Sequence, residues 1–326
     1  MNVQLVAIQL EIDADVLSSS EAYRRHLEAA AARALDGAGA DARFVVFPEI
    51  AGHLALYALA PPAARRAKSL ATALAASALR RPLDVLRGVA TTRLLDPRHA
   101  VLAALAPDGE RWWKSIFGPL AKRHDAYVVA GSHLRLAADG ALTNASLLFG
   151  PDGFLLATTD KVNLVPGMED GARGALALHR GSPEVPIVTT PFGKVATLVC
   201  YDGFREPHTR NERFVALGPR LAARGGVDIV ANPAANPWPW KERWKFAEQG
   251  ETQSRAEQWD TEGLCGTLRQ TAFSHYGVTA HLVGKVLDLA FEGRSEIVER
   301  DATGVHVLAR AEHHDRGGHV VARVSC

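Results

Sequence analysis

Three residues in this chain pair a reactive side chain with an abrupt change of surroundings: Cys200, Glu49 and Lys161. Cys200 ends the apolar run Val195-Ala196-Thr197-Leu198-Val199 and is followed at once by Tyr201-Asp202-Gly203. A cysteine at the end of a buried strand, beside a turn, is placed for access by a ligand, and the turn's backbone N–H groups could face a developing oxyanion. Glu49 ends a second apolar run, Phe44-Val45-Val46-Phe47-Pro48. Carboxylates are almost never fully buried unless paired, so this one needs a cation or a proton. If desolvated, its pKa rises, which suits a general base working near neutrality. Lys161 follows a strand-like run, in Thr159-Asp160-Lys161-Val162-Asn163-Leu164. An ammonium near a cysteine lowers the thiol pKa and can stabilise the oxyanion of a tetrahedral intermediate. Taken singly, each residue has a plainer explanation. Free cysteine is mostly inert packing, a strand-end carboxylate is more often solvated than catalytic, and a lone lysine carries no signal.

The elements that must position these residues read as a mixture of strands and helices. Val3 to Leu10 is a buried strand. Ser18 with Glu21 offers a capping box, Tyr23, Leu27, Ala30, Ala31 and Leu35 recur at helical spacing, and Gly37 offers a C-cap. With the strand before Glu49, the chain opens strand–helix–strand. Residues 54–124 are Ala/Leu/Arg-rich and helical in pattern, and Tyr127 to Gly131 resumes the strand rhythm. Ala145–Phe149 and Phe154–Thr158 flank the turn Gly150-Pro151-Asp152-Gly153, a hairpin reading. Pro183 to Thr190 leads into the turn before Val195. A helix is expected at 208–224, a strand at Val227–Ala231, a Pro-rich loop at 232–240, helices through 241–275, and strands near 277–283, 295–299 and 304–310. No repeat, linker or composition break divides the sequence, so one α/β domain over 1–326 is expected, with parallel and antiparallel segments.

Composition excludes several function classes. Of 326 residues, 47% are hydrophobic and 22% charged, and 37 basic against 36 acidic residues leave a formal charge of +1. That near-balance supplies no field for nucleic acid or an anionic membrane. Three scattered cysteines, at 200, 265 and 326, make neither a disulfide framework nor a metal pair, and point to a reducing, cytoplasmic setting. The first ten residues lack a basic n-region and are interrupted by Gln4 and Gln9, unlike a signal peptide. No apolar run of about 18 residues suggests a transmembrane helix.

Phe47-Pro48-Glu49, Lys161-Val162-Asn163-Leu164 and Cys200-Tyr201-Asp202, in that order, resemble the nitrilase (carbon–nitrogen hydrolase) superfamily. Gly131-Ser132, Asn144, Pro151-Asp152-Gly153, Gly226 to Pro233 and Phe291-Glu292-Gly293-Arg294-Ser295 fall where that family's chain places similar segments, so the resemblance runs from Val3 to about Leu308. It implies a four-layer α-β-β-α sandwich with two mixed β-sheets, subunits paired into a homodimer or larger homo-oligomer, and no metal or organic cofactor. Glu49 would be the general base, Cys200 the nucleophile, and Lys161 with the Tyr201 backbone N–H the oxyanion donors. Glu169, eight residues beyond Lys161, would hold that lysine or the hydrolytic water, unless it is an exposed acid in its glycine-flanked loop.

Within the family, Tyr201-Asp202 after the cysteine resembles the amidase branch rather than the nitrilases, which favour Trp-Glu. The resemblance thus implies a small-molecule amide as substrate, with N-carbamoyl amines, nitriles and a non-catalytic scaffold as alternatives. Asn232, Trp238 and Tyr201 fall where the pocket rim is expected. Trp238, Trp240 and Trp112-Trp113 read equally well as packing. Arg205 or Arg173 could grip a substrate carboxylate. The sequence departs from the family's pattern in Phe204-Arg205-Glu206-Pro207-His208 after the nucleophile and in His281 ahead of Gly284.

Overall fold

The computed structural model describes residues 1–35, 39–93, 95–170, 176–247 and 250–326. Its elements run β1 (Asn2–Ile12), α1 (Ser20–Leu35), β2 (Ala42–Val46), α2 (Ala51–Leu59), α3 (Pro62–Arg65), α4 (Leu70–Arg80), α5 (Pro82–Thr92), α6 (Pro97–His124), β3 (Tyr127–Val129), β4 (His133–Leu136), β5 (Leu142–Phe149) and β6 (Leu155–Asp160). There follow β7 (Ile187–Thr190), β8 (Gly193–Thr197), a 3₁₀ turn (Cys200–Gly203), α7 (Leu217–Ala223), β9 (Val227–Ala235), α8 (Arg255–Glu262), α9 (Leu264–Gln270), β10 (Ser274–Val286), β11 (Leu289–Phe291), β12 (Glu296–Arg300), β13 (Val305–Arg310) and β14 (Gly318–Ser325). No described helix is long and apolar enough to cross a membrane.

Strand alternation sorts the core into layers, because successive side chains point to opposite faces. Along β1, Val6 and Ile8 face α1, α2 and α6, packing with Tyr23, Ala55, Trp113 and Phe117. Leu5 and Ala7 face the other way, meeting Ile229, Val278 and Ala280 of β9 and β10. Beyond those strands, Val230 and Val298 pack on Leu217, Leu221, Leu264 and Leu268 of α7 and α9. Helices, sheet, sheet and helices therefore stack in that order. The first sheet carries β4-β5-β3-β2-β1 with β14 and β6, the second β7-β8-β9-β10 with β11, β12 and β13. They join where Leu10–Ile12 of β1 pair in parallel with Leu282–Gly284 of β10.

Several boundaries differ from the sequence reading. Ser19, not Ser18, caps α1, its Oγ accepting from the Ala22 N–H. The Gly37 cap lies outside the described residues. The helix expected at 208–224 shrinks to α7, because residues 205–216 wrap around Tyr201, whose hydroxyl accepts from the His208 N–H and donates to Glu212. Helix is absent from the described part of 241–253 and starts at α8, whose Ser254 and Glu257 form a capping box. The Pro-rich stretch begins as strand, with β9 running to Ala235. Neighbouring β8 stops at Thr197, opposite Ala231, so Pro233 lies past its end and its missing N–H breaks no ladder bond there. Strand β14, not foreseen, pairs antiparallel with β1 from Asn2↔Ser325 to Gln9↔Gly318.

One close approach fixes the turn that carries Glu49. Gly131 follows β3 with φ of 57°, and a Cβ built on it would stand 2.1 Å from the Pro48 carbonyl oxygen. Next to it, Ser132 accepts the Ile50 N–H on its hydroxyl at 3.0 Å and the Gly52 N–H on its carbonyl at 2.8 Å. Left-handed backbone alone costs a non-glycine residue about 1–2 kcal/mol, and the overlap adds to it. Gly131→Ala is therefore expected to lose at least about 2 kcal/mol in urea unfolding. An unchanged midpoint would show that the turn is not held by this contact.

Candidate active site

The candidate residues stand just past the ends of strands. Glu49 comes three residues after β2, Lys161 directly after β6, and Cys200 three residues after β8. The first two belong to one sheet and the third to the other, so the face-to-face packing brings them together. Lys161 Nζ donates to Glu49 Oε1 at 2.7 Å and to Glu169 Oε2 at 2.6 Å. Lys161 is only 1% exposed, so these carboxylates replace its water. Asn144 of β5 spans the two acids, donating to Glu49 Oε1 at 2.9 Å and to Glu169 Oε1 at 3.0 Å. The Val165 N–H adds a bond to Glu169 Oε2 at 2.9 Å.

Cys200 has φ of 51°, in the left-handed region that non-glycine residues seldom enter. Strain of this kind persists only where surrounding contacts impose it. Here Asn232 imposes it, its Nδ2 donating to the carbonyls of Leu198 at 2.6 Å and Cys200 at 3.1 Å. Cys200 Sγ lies 3.7 Å from the Ala235 carbonyl oxygen, and the thiol and the Glu49 carboxyl are close enough to shift each other's titration. Asp202 ties the Cys200 turn to the lysine segment. It accepts the Asn163 N–H at 2.6 Å and the Val162 N–H at 3.1 Å.

Burial and mutual charge set the protonation states. Burial raises the Glu49 pKa, Lys161 opposes that rise, and Glu169 adds to it. Burial alone would depress the Lys161 ammonium, yet Glu169 and Glu49 outweigh it and hold the group well above its ordinary value. The Cys200 thiol is pushed up by burial and by Glu49. Lys161 does pull it down, as expected, but is outweighed. The resting cysteine is thus a thiol beside a carboxylate that is unusually ready to take a proton.

A cavity of about 320 Å³ opens against the Glu49, Lys161 and Glu169 end of this cluster. Cys200 itself is not on its wall, but Ala235, whose carbonyl oxygen lies 3.7 Å from Sγ, is. Glu49, Lys161 and Glu169 form its polar end, with Ala235 and Pro237 on the wall, and the remainder is almost wholly apolar. A deep apolar cavity with a few convergent charged groups is the usual form of a small-molecule site.

The carbon–nitrogen hydrolase family model matches residues 5–210, a span that includes Glu49, Lys161, Glu169 and Cys200. The chain belongs to the carbon–nitrogen hydrolase family. Solved structures agree at the level of the fold. A double mutant of the amidase from Nesterenkonia sp. AN1 in complex with acrylamide is 17% identical, with a TM-score of 0.60 over 99% of this chain and 90% of that one. Another mutant of that amidase, with the acetamide moiety of fluoroacetamide added covalently at its active-site cysteine, is 18% identical, with a TM-score of 0.60 over 100% and 90%. The carbon–nitrogen hydrolase from Helicobacter pylori G27 is 15% identical, with a TM-score of 0.63 over 99% and 89%. No curated protein sequence matches the chain.

Other expected residues of this hydrolase fall elsewhere. The Tyr201 ring does not wall the cavity. It turns away into an aromatic cluster, stacked 4.0 Å from His208 and edge-on to Phe204 at 5.4 Å, and only its backbone N–H remains beside Cys200. Asn232 lines no part of the cavity and holds the nucleophile's backbone instead. Trp238 packs against Trp244 at 5.2 Å and under the Arg255 guanidinium at 4.9 Å, while its neighbour Pro237 reaches the cavity. Arg205 pairs with Glu206 away from the cavity, and Arg173 lies outside the described residues. Trp113 is core, its Nε1 donating to the Ala130 carbonyl at 2.8 Å. Asn144 and Asp202 were quoted in the sequence only as pieces of motif. Asn144 left a signal, since an amide inside the largely apolar run Leu142–Phe149 must be bonded to something.

Lys161→Met tests the cluster's electrostatics. It strands two buried carboxylates, and losing one partner of a buried pair costs about 3–5 kcal/mol. Glu49, whose pKa burial already raises, then prefers the protonated form in the folded state, so the penalty applies above the ordinary carboxylate range and shrinks as pH falls. Thermal unfolding of the variant and the native chain across pH 4–8 is expected to converge at the acid end. A pH-independent difference would contradict this charge balance.

Proposed function

We propose that this hydrolase cleaves the C–N bond of an amide through a thioester on Cys200. The observation that carries the reading is the buried Lys161 held by Glu49 and Glu169, with the strained Cys200 at its edge. Glu49 takes the thiol proton as Sγ attacks the carbonyl carbon. Lys161 and the Tyr201 N–H balance the oxygen's negative charge. The C–N bond breaks, and the nitrogen leaves with the proton Glu49 had taken. Water then gives a proton to Glu49 and attacks the thioester carbonyl, and the C–S bond breaks to release the acid and restore the thiol. Glu169 keeps Lys161 oriented and, as a second negative charge, keeps Glu49 basic. The likeness to the Nesterenkonia amidase supports an amide over a nitrile.

Ammonia release from a panel of primary amides, nitriles and N-carbamoyl compounds tests the reading. Release from amides is expected, and Cys200→Ala is expected to abolish it. Lys161→Met should lower kcat by at least about a hundredfold, as loss of an oxyanion donor does. Since Glu49 must be unprotonated to act, activity rises with pH along an acid limb lying above the ordinary carboxylate value. Glu169→Gln removes a charge that raises the Glu49 pKa, so the limb should move to lower pH. Equal release by the native chain and Cys200→Ala would refute the mechanism.

A further inference from the structure

The cavity extends well beyond the reacting groups. Leu70, Ala73, Leu74 and Ser77 of α4 all line it. They stand at i, i+3, i+4 and i+7, one face of the helix, and so mark out about 10 Å of length at 1.5 Å per residue. Leu102 and Leu105 of α6 and Leu287 and Leu289 at the β10–β11 turn supply further wall. Two hydroxyls on these walls are already engaged, whereas neither ring nitrogen of His53 has a hydrogen-bond partner among the described residues. Ser77 Oγ donates to the Ala73 carbonyl at 2.9 Å, and the Tyr57 hydroxyl donates to the Arg65 carbonyl at 2.7 Å. His53, also on the wall, is held neutral by burial, which lowers its pKa to about 3. Among the described lining residues Lys161 is the sole cation, and both its carboxylate partners are in place. Apart from His53, a substrate tail therefore meets hydrocarbon on the described sides, and a carboxylate on that tail finds no free cation among the described lining residues. At about 30 Å³ for the liquid-volume share of a water molecule, a cavity of about 320 Å³ takes roughly ten groups of that size.

We propose that the substrate is the primary amide of an unbranched medium-chain aliphatic acid, its amide end at Glu49, Lys161 and Cys200 and its acyl chain lying along α4. The inference rests on the amidase reading for the reacting end, and on the α4 cavity for the chain.

Cys200→Ala removes the nucleophile and leaves the α4 cavity, so intact amides can be titrated against it by calorimetry. From butanamide to octanamide, Kd is expected to fall about three- to fourfold per methylene, then to level off once the cavity is full. Adding Ala73→Trp, which fills part of the α4 face, should weaken octanamide at least about tenfold more than butanamide, the worth of two methylenes. Kd values independent of chain length, or tighter binding of a chain that ends in a carboxylate, would overturn the inference. Ammonia release from the same series by the native chain judges the reaction separately. Chain-length-dependent binding without release would uphold the apolar site and discard the amidase reading. Release without chain-length dependence would do the reverse.

Discussion

A single ammonium, enclosed by protein and held between two carboxylates, is the constraint on which the rest of the site depends. Lys161 has no water to solvate it, so Glu49 and Glu169 must stay within hydrogen-bond distance. Burial raises the Glu49 pKa, and the second carboxylate, Glu169, adds to that rise. Burial, and after it the Glu49 charge, also keeps the Cys200 thiol protonated at rest. In the proposed mechanism this couples proton transfer to nucleophilic attack: the thiolate forms as it is used, beside the base that takes its proton. Asn144 and the Val165 N–H hold the two acids apart on the lysine.

The fold meets this demand by ending strands of two packed sheets at one place. Glu49 and Lys161 extend strands of the first sheet and Cys200 a strand of the second. Asp202 bonds the backbone of Val162 and Asn163, so the nucleophile's turn and the lysine's segment move as one piece. Gly131 performs the corresponding task for Glu49, letting the β3 end press against Pro48. The helical stretch from α2 to α6 then builds the apolar cavity against the charged cluster. The charged cluster and Cys200 thus stand on strand ends, and most of the apolar cavity wall on helices.

How much of this was legible depends on whether the determinant was local. Glu49 and Cys200 could be picked out because each terminates an apolar run, whereas Lys161 follows Thr158-Thr159-Asp160 and was legible only through the ordered resemblance. The layer order was legible only through resemblance, since strand periodicity shows which faces are apolar but not what they meet. Side-chain direction was not legible. Cys200 adopts a left-handed backbone, and the ring of Tyr201 then runs into an aromatic cluster instead of the cavity. That same ring, bonded to His208 and Glu212, shortens α7 through contacts that no local propensity encodes. Strand β14 was missed because its mixed Gly/His/Val/Arg pattern becomes a strand through pairing with β1, some three hundred residues earlier in the chain.

The central claim, a covalent acyl-cysteine formed beside the buried lysine, is tested most directly by rapid acid quench of the native chain turning over an amide, followed by intact-mass and peptide-mapping mass spectrometry. The account predicts one acyl increment on the peptide containing Cys200, removed by hydroxylamine and absent from Cys200→Ala. An increment on Cys265 or another residue, or steady turnover with no acyl-enzyme in either chain, would contradict it.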